Sequence, residues 1–140
     1  MKNNSITNQK FAALANGLPV PLTVTMEGTG SATAWITGNK IIVDLVAAQT
    51  GKYVNISTPI EFDVIGAHTI HGNATASTVQ IANTTDAITS AIAMAAVDTD
   101  IDNPTTLDDA YWSFATGDND LRLIIGTAAA TGRLVIDIDK

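Results

Sequence analysis

Short runs in which Val, Ile, Leu, Met or Ala alternate with Thr, cut by Gly- and Asn-containing turns, are the feature that most constrains this chain. Val20, Leu22, Val24 and Met26 alternate with Pro21, Thr23 and Thr25, the period of two of a half-buried strand. Beyond a turn at Gly28-Thr29-Gly30, Ala32, Ala34 and Ile36 alternate with Thr33, Trp35 and Thr37. Gly38-Asn39 then reads as a hairpin dipeptide, in the reverse of the Asn-Gly order that a type I′ turn prefers. Helices are disfavoured by what is missing. Glutamate occurs only at Glu27 and Glu61, and charged residues make up 15% of the chain, so the side chains that coat exposed helices are scarce.

The same rhythm continues. Lys40–Val46 reads as an apolar strand, and Lys52–Ser57 as a short one with Tyr53 on one face and Val54 and Ile56 on the other. Pro59 breaks the pattern. Glu61–Ile70 is the strongest strand, with Phe62, Val64 and Gly66 expected on one face. Gly72-Asn73 turns the chain into Ser77–Ala82, and Asn83–Thr85 is a polar loop. The stretch Asp86–Val97 fits two patterns. Ile88, Ile92 and Ala95 make a helical stripe behind an Asp86 N-cap, while Ile88, Ser90, Ile92, Met94 and Ala96 alternate. Its strand-spaced surroundings favour strand. Asp98–Asp109 reads as an acidic loop, Ala110–Ala115 as an aromatic strand, and Gly117–Asp120 as a turn. Leu121–Ile125 and Arg133–Ile138 close the chain. About eight to ten short strands at this spacing imply an all-β fold, an antiparallel β-sandwich or barrel. Residues 1–18 are expected to form an N-terminal arm, and residues 19–140 one domain.

Composition narrows the function. A hydrophobic fraction of 46% argues against disorder. A net charge of −7 argues against nucleic acid as a partner, because no phosphate neutralisation is on offer. With no cysteine, disulfides and thiolate metal sites are excluded. Met1–Lys10 has no apolar segment of the secretory kind, and apolar stretches such as Ala91–Val97 are too short to span a bilayer, so no membrane partner is expected.

Catalytic signals are weak. His68 and His71 are three residues apart, so on a regular strand they point to opposite faces and share no metal. No nucleophile elbow, P-loop or dinucleotide fingerprint occurs. Asp98, Asp100 and Asp102 resemble the start of a calcium loop, with Asp109 at the twelfth position. Asn103 stands where that loop needs Gly, Pro104 follows it, and the last ligand is Asp rather than Glu. A solvated acidic turn is the better reading. The N-x-S/T triplets at Asn3, Asn55, Asn73 and Asn83 are what chance gives in a chain rich in Asn and Thr. Trp35, Tyr53, Tyr111 and Trp112 are candidates for a sugar-stacking platform, although packing is the commoner use of each. The expectation is a protein with no catalytic, cofactor-binding or metal-binding residues.

One further pattern runs from Pro59 to Ile138. Phe62-x-Val64 follows a proline, then come Ser77–Ile81, an AIT-x-AI segment at Ala87–Ile92 and Leu107-Asp108-Asp109-Ala110 before the aromatic strand. Gly117-Asp118 precedes Leu121-Arg122-Leu123, and Gly132 precedes the closing strand. This order resembles the small virion proteins that decorate or cement the capsids of tailed bacteriophages. The resemblance implies a β-sandwich, often jelly-roll-like and often a homotrimer. It implies a location in the virion after assembly in the host cytoplasm, and the major capsid protein as partner. Low charge with abundant Ala, Thr, Ile and Val suits surface buried between subunits. The alternative is a carbohydrate- or surface-binding β-sandwich module of lectin or adhesin type, with Trp35 or Trp112 as its platform.

Overall fold

The structure, a computed structural model, describes residues 18–71, 75–94, 101–107, 112–114 and 121–140, and of His71 only the backbone. Among them are twelve strands and no helix. They are β1 (Val20–Met26), β2 (Ser31–Thr37), β3 (Lys40–Ala48), β4 (Tyr53–Ser57), β5 (Phe62–His71) and β6 (Ser77–Asn83). Four short pieces follow, β7 (Asp86–Ala87), β8 (Ile92–Met94), β9 (Ile101–Asp102) and β10 (Ser113–Phe114), and then β11 (Leu121–Gly126) and β12 (Ala130–Asp139). All pairings are antiparallel. They join the strands into one open sheet in the order β10-β5-β12-β3-β2-β1-β4-β11-β6-β7, with β8 also beside β6 and β9 also beside β5. The all-β, antiparallel expectation therefore holds. The expected arm lies almost wholly outside the described residues, and the expected turns at Gly72-Asn73 and Gly117–Asp120 lie wholly outside them.

Continuity of this sheet depends on β1. Its first half, Val20–Leu22, pairs with β2, and its second half, Thr23–Met26, pairs with β4. The alternation read from the sequence runs unbroken through the switch, so Val20, Leu22, Val24 and Met26 all pack on the core. Beyond it, Ile36, Ile41, Val43, Ile56, Leu123, Ile81 and Ile136 are fully buried from six different strands. Each such side chain contributes about 1.5–3 kcal/mol relative to exposure. The sheet also bends back on itself. Thr69 on β5 is buried and donates from Oγ1 to the carbonyl of Ala93 on β8 at 2.5 Å. At one end of the core, Phe62 and Phe114 stack with ring centroids 4.9 Å apart and tie β10 to β5.

Two bulges correct the sequence reading. On β5, Val64 faces Ile138 and Gly66 faces Asp137, so Ile65 is an extra residue with no partner on β12. The burial phase slips by one there: Phe62 and Val64 are buried, then Ala67 and Thr69. Gly66 is therefore on the opposite face from Phe62 and Val64, and Ile65 is turned out, 57% exposed. On β3 the extra residue lies between Leu45 and Ala48, which face Gly132 and Ala130. Ala47 takes the left-handed conformation there (φ 49°) and its N–H donates to Thr131 Oγ1 at 2.8 Å. A bulge re-aims side chains in this way, and Val46 is exposed beside it.

Other differences are local. Gly38 has φ 56° and Asn39 is not in the left-handed region. A positive φ at the first loop position alone is the II′ pattern, which wants glycine first and so accounts for the Gly-Asn order. The Asp86–Val97 stretch is strand, as favoured, but in two pieces, β7 and β8, split by buried Ile88 and Thr89; Ala95–Val97 lie outside the described residues. The Asp98–Asp109 segment is not all loop. Ile101–Asp102 pairs with Thr69–Ile70, and Leu107 bridges to Thr89.

Two buried threonines are expected to respond oppositely to the same substitution. Thr58 is 2% exposed and its Oγ1 has no hydrogen-bond partner among the described residues. Thr58→Val, which deletes an unsatisfied hydroxyl, is expected to raise stability by about 1 kcal/mol. Thr89 Oγ1 accepts from the Ile81 N–H at 3.0 Å, so Thr89→Val is expected to cost roughly 1–3 kcal/mol by orphaning that donor. Urea unfolding of the two variants checks both signs. In the same assay Gly30→Ala is expected to cost on the order of 3 kcal/mol. Gly30 has φ +98°, and an added Cβ would sit 2.3 Å from the Ala47 carbonyl oxygen.

Candidate functional site

Because directly paired residues share a face, the strand registers define the outward surface of the sheet. Across β1, β2, β3, β12 and β5, one outward row reads Pro21, Trp35, Ile42, Val135, His68. The row on one side of it reads Thr37, Lys40, Asp137, Gly66. The row on the other side reads Thr33, Asp44, Arg133, Ile70, and continues to Ile101 on β9. A mainly apolar stripe thus crosses five strands, with Val135 buried among its neighbours and Trp35, Ile42 and His68 half-buried, and it is flanked above and below by a cross-strand ion pair.

Both pairs link β3 to β12. Lys40 Nζ contacts Asp137 Oδ1, and Arg133 binds Asp44 through Nε at 2.7 Å and Nη2 at 2.9 Å. The two-point contact holds the guanidinium flat, and it also lies over the Trp35 ring, 5.2 Å from the centroid. Its hydrogen bonds to Asp44 hold the Arg133 pKa above its ordinary value against the opposing effect of burial. Arg133 therefore stays charged through the working pH range. Three of the five large exposed aliphatics among the described residues lie on the same side: Val46 from β3, Ile65 at the β5 bulge and Ile101 from β9. Ile65 also lines a shallow depression with Pro104, Leu107 and Asp137.

The outward surface of β4, β11 and β6 has a different character. Its rows read Thr25, Asn55, Arg122, Ala82 and Tyr53, Ile124, Gln80. Arg122 lies 4.5 Å over the Tyr53 ring and donates from Nε to Asn55 Oδ1 at 2.8 Å. Trp35 and Tyr53 therefore stand on different parts of the sheet, each under an arginine, and do not form one platform. Tyr111 lies outside the described residues. Trp112 borders β10, its carbonyl accepting from the Val64 N–H at 2.9 Å.

His68 occupies the apolar row beside Val135. The backbone of His71 pairs with Gly132. Of the acidic segment, Asp98, Asp100 and Asp109 lie outside the described residues, and Asp102 is in β9. Among the described residues no group of three or more His, Cys, Asp or Glu is placed to hold a metal, and no helix is long and apolar enough to cross a membrane. A depression of about 540 Å³ is open and is lined by Glu61, Asp63, Ser113 and Asp139 among others. Sequence reasoning missed the apolar stripe and the ion pairs that frame it. Their members come from different strands, and only the register assembles them.

Comparison with known proteins finds no family model that matches the chain, and no matching curated protein or solved structure.

Arg133→Met is expected to lower stability by about 1 kcal/mol, since the ion pair and the cation–π contact are both partly exposed. It should also shift the emission of Trp35, and the loss should shrink in high salt. Denaturant titration with tryptophan fluorescence at low and high ionic strength measures both effects.

Proposed function

We propose that this chain is a non-catalytic virion protein that decorates or cements a phage capsid, bridging subunits of the major capsid protein as a homo-oligomer. The observation that carries this reading is the one-sidedness of its surface. Val46, Ile65 and Ile101 are exposed around the apolar stripe, while β4, β11 and β6 present mostly Thr, Asn, Arg, Gln and Tyr. A domain with one face for burial in an assembly and another for water is suited to coating a particle. Exposed apolar surface of this kind marks an interaction site rather than a site of chemistry.

The proposal extends to the fold. In a jelly-roll-like sandwich, successive strands alternate between two layers and the last two insert between earlier ones. The order β3-β12-β5-β10 in one part of the sheet and β4-β11-β6-β7 in the other supports that reading. The β1–β2 hairpin would then be an addition that joins the layers along one side. A homotrimer is the assembly that the family resemblance implies, assembled in the host cytoplasm and located in the virion.

The chain is expected to co-sediment with capsids from its source through a density gradient, and Val46→Lys/Ile101→Lys to lower its occupancy at least tenfold. Absence from purified particles, or glycan binding lost on replacing an aromatic residue, would favour the lectin-like reading instead.

A further inference from the structure

We propose that the outward face of β2, β3, β12 and β5 is a two-fold interface with a second copy of this chain. The geometry points to this partner through the arrangement of four charges. On β3, Lys40 and Asp44 stand two rows apart, and on β12 their direct partners are Asp137 and Arg133. The positive charge is on β3 in one row and on β12 in the other. The four charges therefore occupy the corners of a rectangle about 5 Å wide and roughly 13 Å tall, with like charges on the diagonals.

Such a pattern is complementary to itself. Take a two-fold axis lying in the interface along the row Pro21, Trp35, Ile42, Val135, His68. That operation lays each flanking row over the other one in the second copy. Lys40 then faces Asp44 of the partner subunit, and Asp137 faces Arg133 of the partner subunit. All four charges meet their opposites, and the apolar row lies on its own copy.

The apolar residues agree with this choice of axis. Gly66, next to exposed Ile65, has no side chain to fill its place in the first row. The axis brings Ile70 of the partner subunit over that gap, with Ile101 of the partner subunit beside it. An axis along the strands would also pair the charges, but it would set Ile70 over the threonine at position 33. Isologous contacts of this kind are the commonest in homo-oligomers. Charge complementarity across them fixes register and excludes wrong pairings.

The inference concerns the free protein and uses the same apolar face as the capsid reading, but its charge-swap test needs no capsid. Copies are expected to pair, giving a dimer, or a hexamer if trimers also form through another surface. The test is sedimentation equilibrium of the full chain and of two charge-swapped variants, each checked by thermal melting. Lys40→Asp/Asp137→Lys keeps the ion pair within the chain but places like charge over like across the proposed axis. It is expected to raise the dissociation constant at least tenfold with little change in melting temperature. Adding Asp44→Arg/Arg133→Asp to it reverses all four charges, restores the complementarity and should recover pairing. The proposal is overturned by a wild-type chain that stays monomeric or strictly trimeric at about 100 µM. It is overturned equally by a first swap that folds and pairs as the wild type does, or by a four-charge variant that folds but fails to recover pairing.

Discussion

The whole sheet hangs on one strand that changes partner midway. β1 gives its first three residues to β2 and its last four to β4. Without it, β2 and β3 would remain with β12 and β5, and β4 would remain with β11 and β6, as separate pieces. What lets one strand serve both is that its alternation never slips: Val20, Leu22, Val24 and Met26 face the core through the exchange. Hydrogen bonding changes neighbour while burial stays in phase. A single inserted residue would send half of these side chains outward.

Phase is also what decided how much could be read in advance. β1, β2 and β4 are strict alternations, and their bounds and buried faces follow directly from the residues. β5 and β3 are not strict. Ile65 and the residues around Ala47 interrupt the count, and nothing in their identity announces it, since Ile and Ala are ordinary strand and core residues. A bulge is a property of the pair of strands, and its partner lies more than fifty residues away along the chain in both cases. The pieces β7 to β10 were hard for a different reason. Two or three residues carry too little periodicity to distinguish strand from loop, and their pairing with β5 and β6 is decided by the surrounding core. Likewise, the sign and order of Lys40, Asp44, Arg133 and Asp137 were visible from the start, but their rectangle exists only once β3 and β12 are aligned.

The surface shows how the two corrections bear on function. Each bulge borders an exposed aliphatic side chain, Val46 in one case and Ile65 in the other, both of them outward by the alternation of their own strand. What the bulges change is the residue that follows, since Ala47 and Gly66 also leave the core face and the inward phase resumes at Ala48 and Ala67. The cost is backbone strain at Ala47, held in the left-handed region that non-glycine residues avoid. It is offset by the hydrogen bond from Ala47 to Thr131 and by the close seat of Gly30 against the Ala47 carbonyl.

The position of the last two strands has a consequence for how the molecule forms. β12 lies between β3 and β5, and β11 lies between β4 and β6. As the chain leaves the ribosome, β3, β4, β5 and β6 are made long before the strands that must separate them. Until then their inner edges are open to one another and to other chains, and every ladder that β11 and β12 complete closes a long loop. High contact order of this sort slows folding and prolongs exposure of unpaired edges. The nascent chain therefore has to keep four strands apart while it waits for its C-terminal end, and yield in a cell is expected to depend on the rate of that final insertion more than on the stability of the finished sheet.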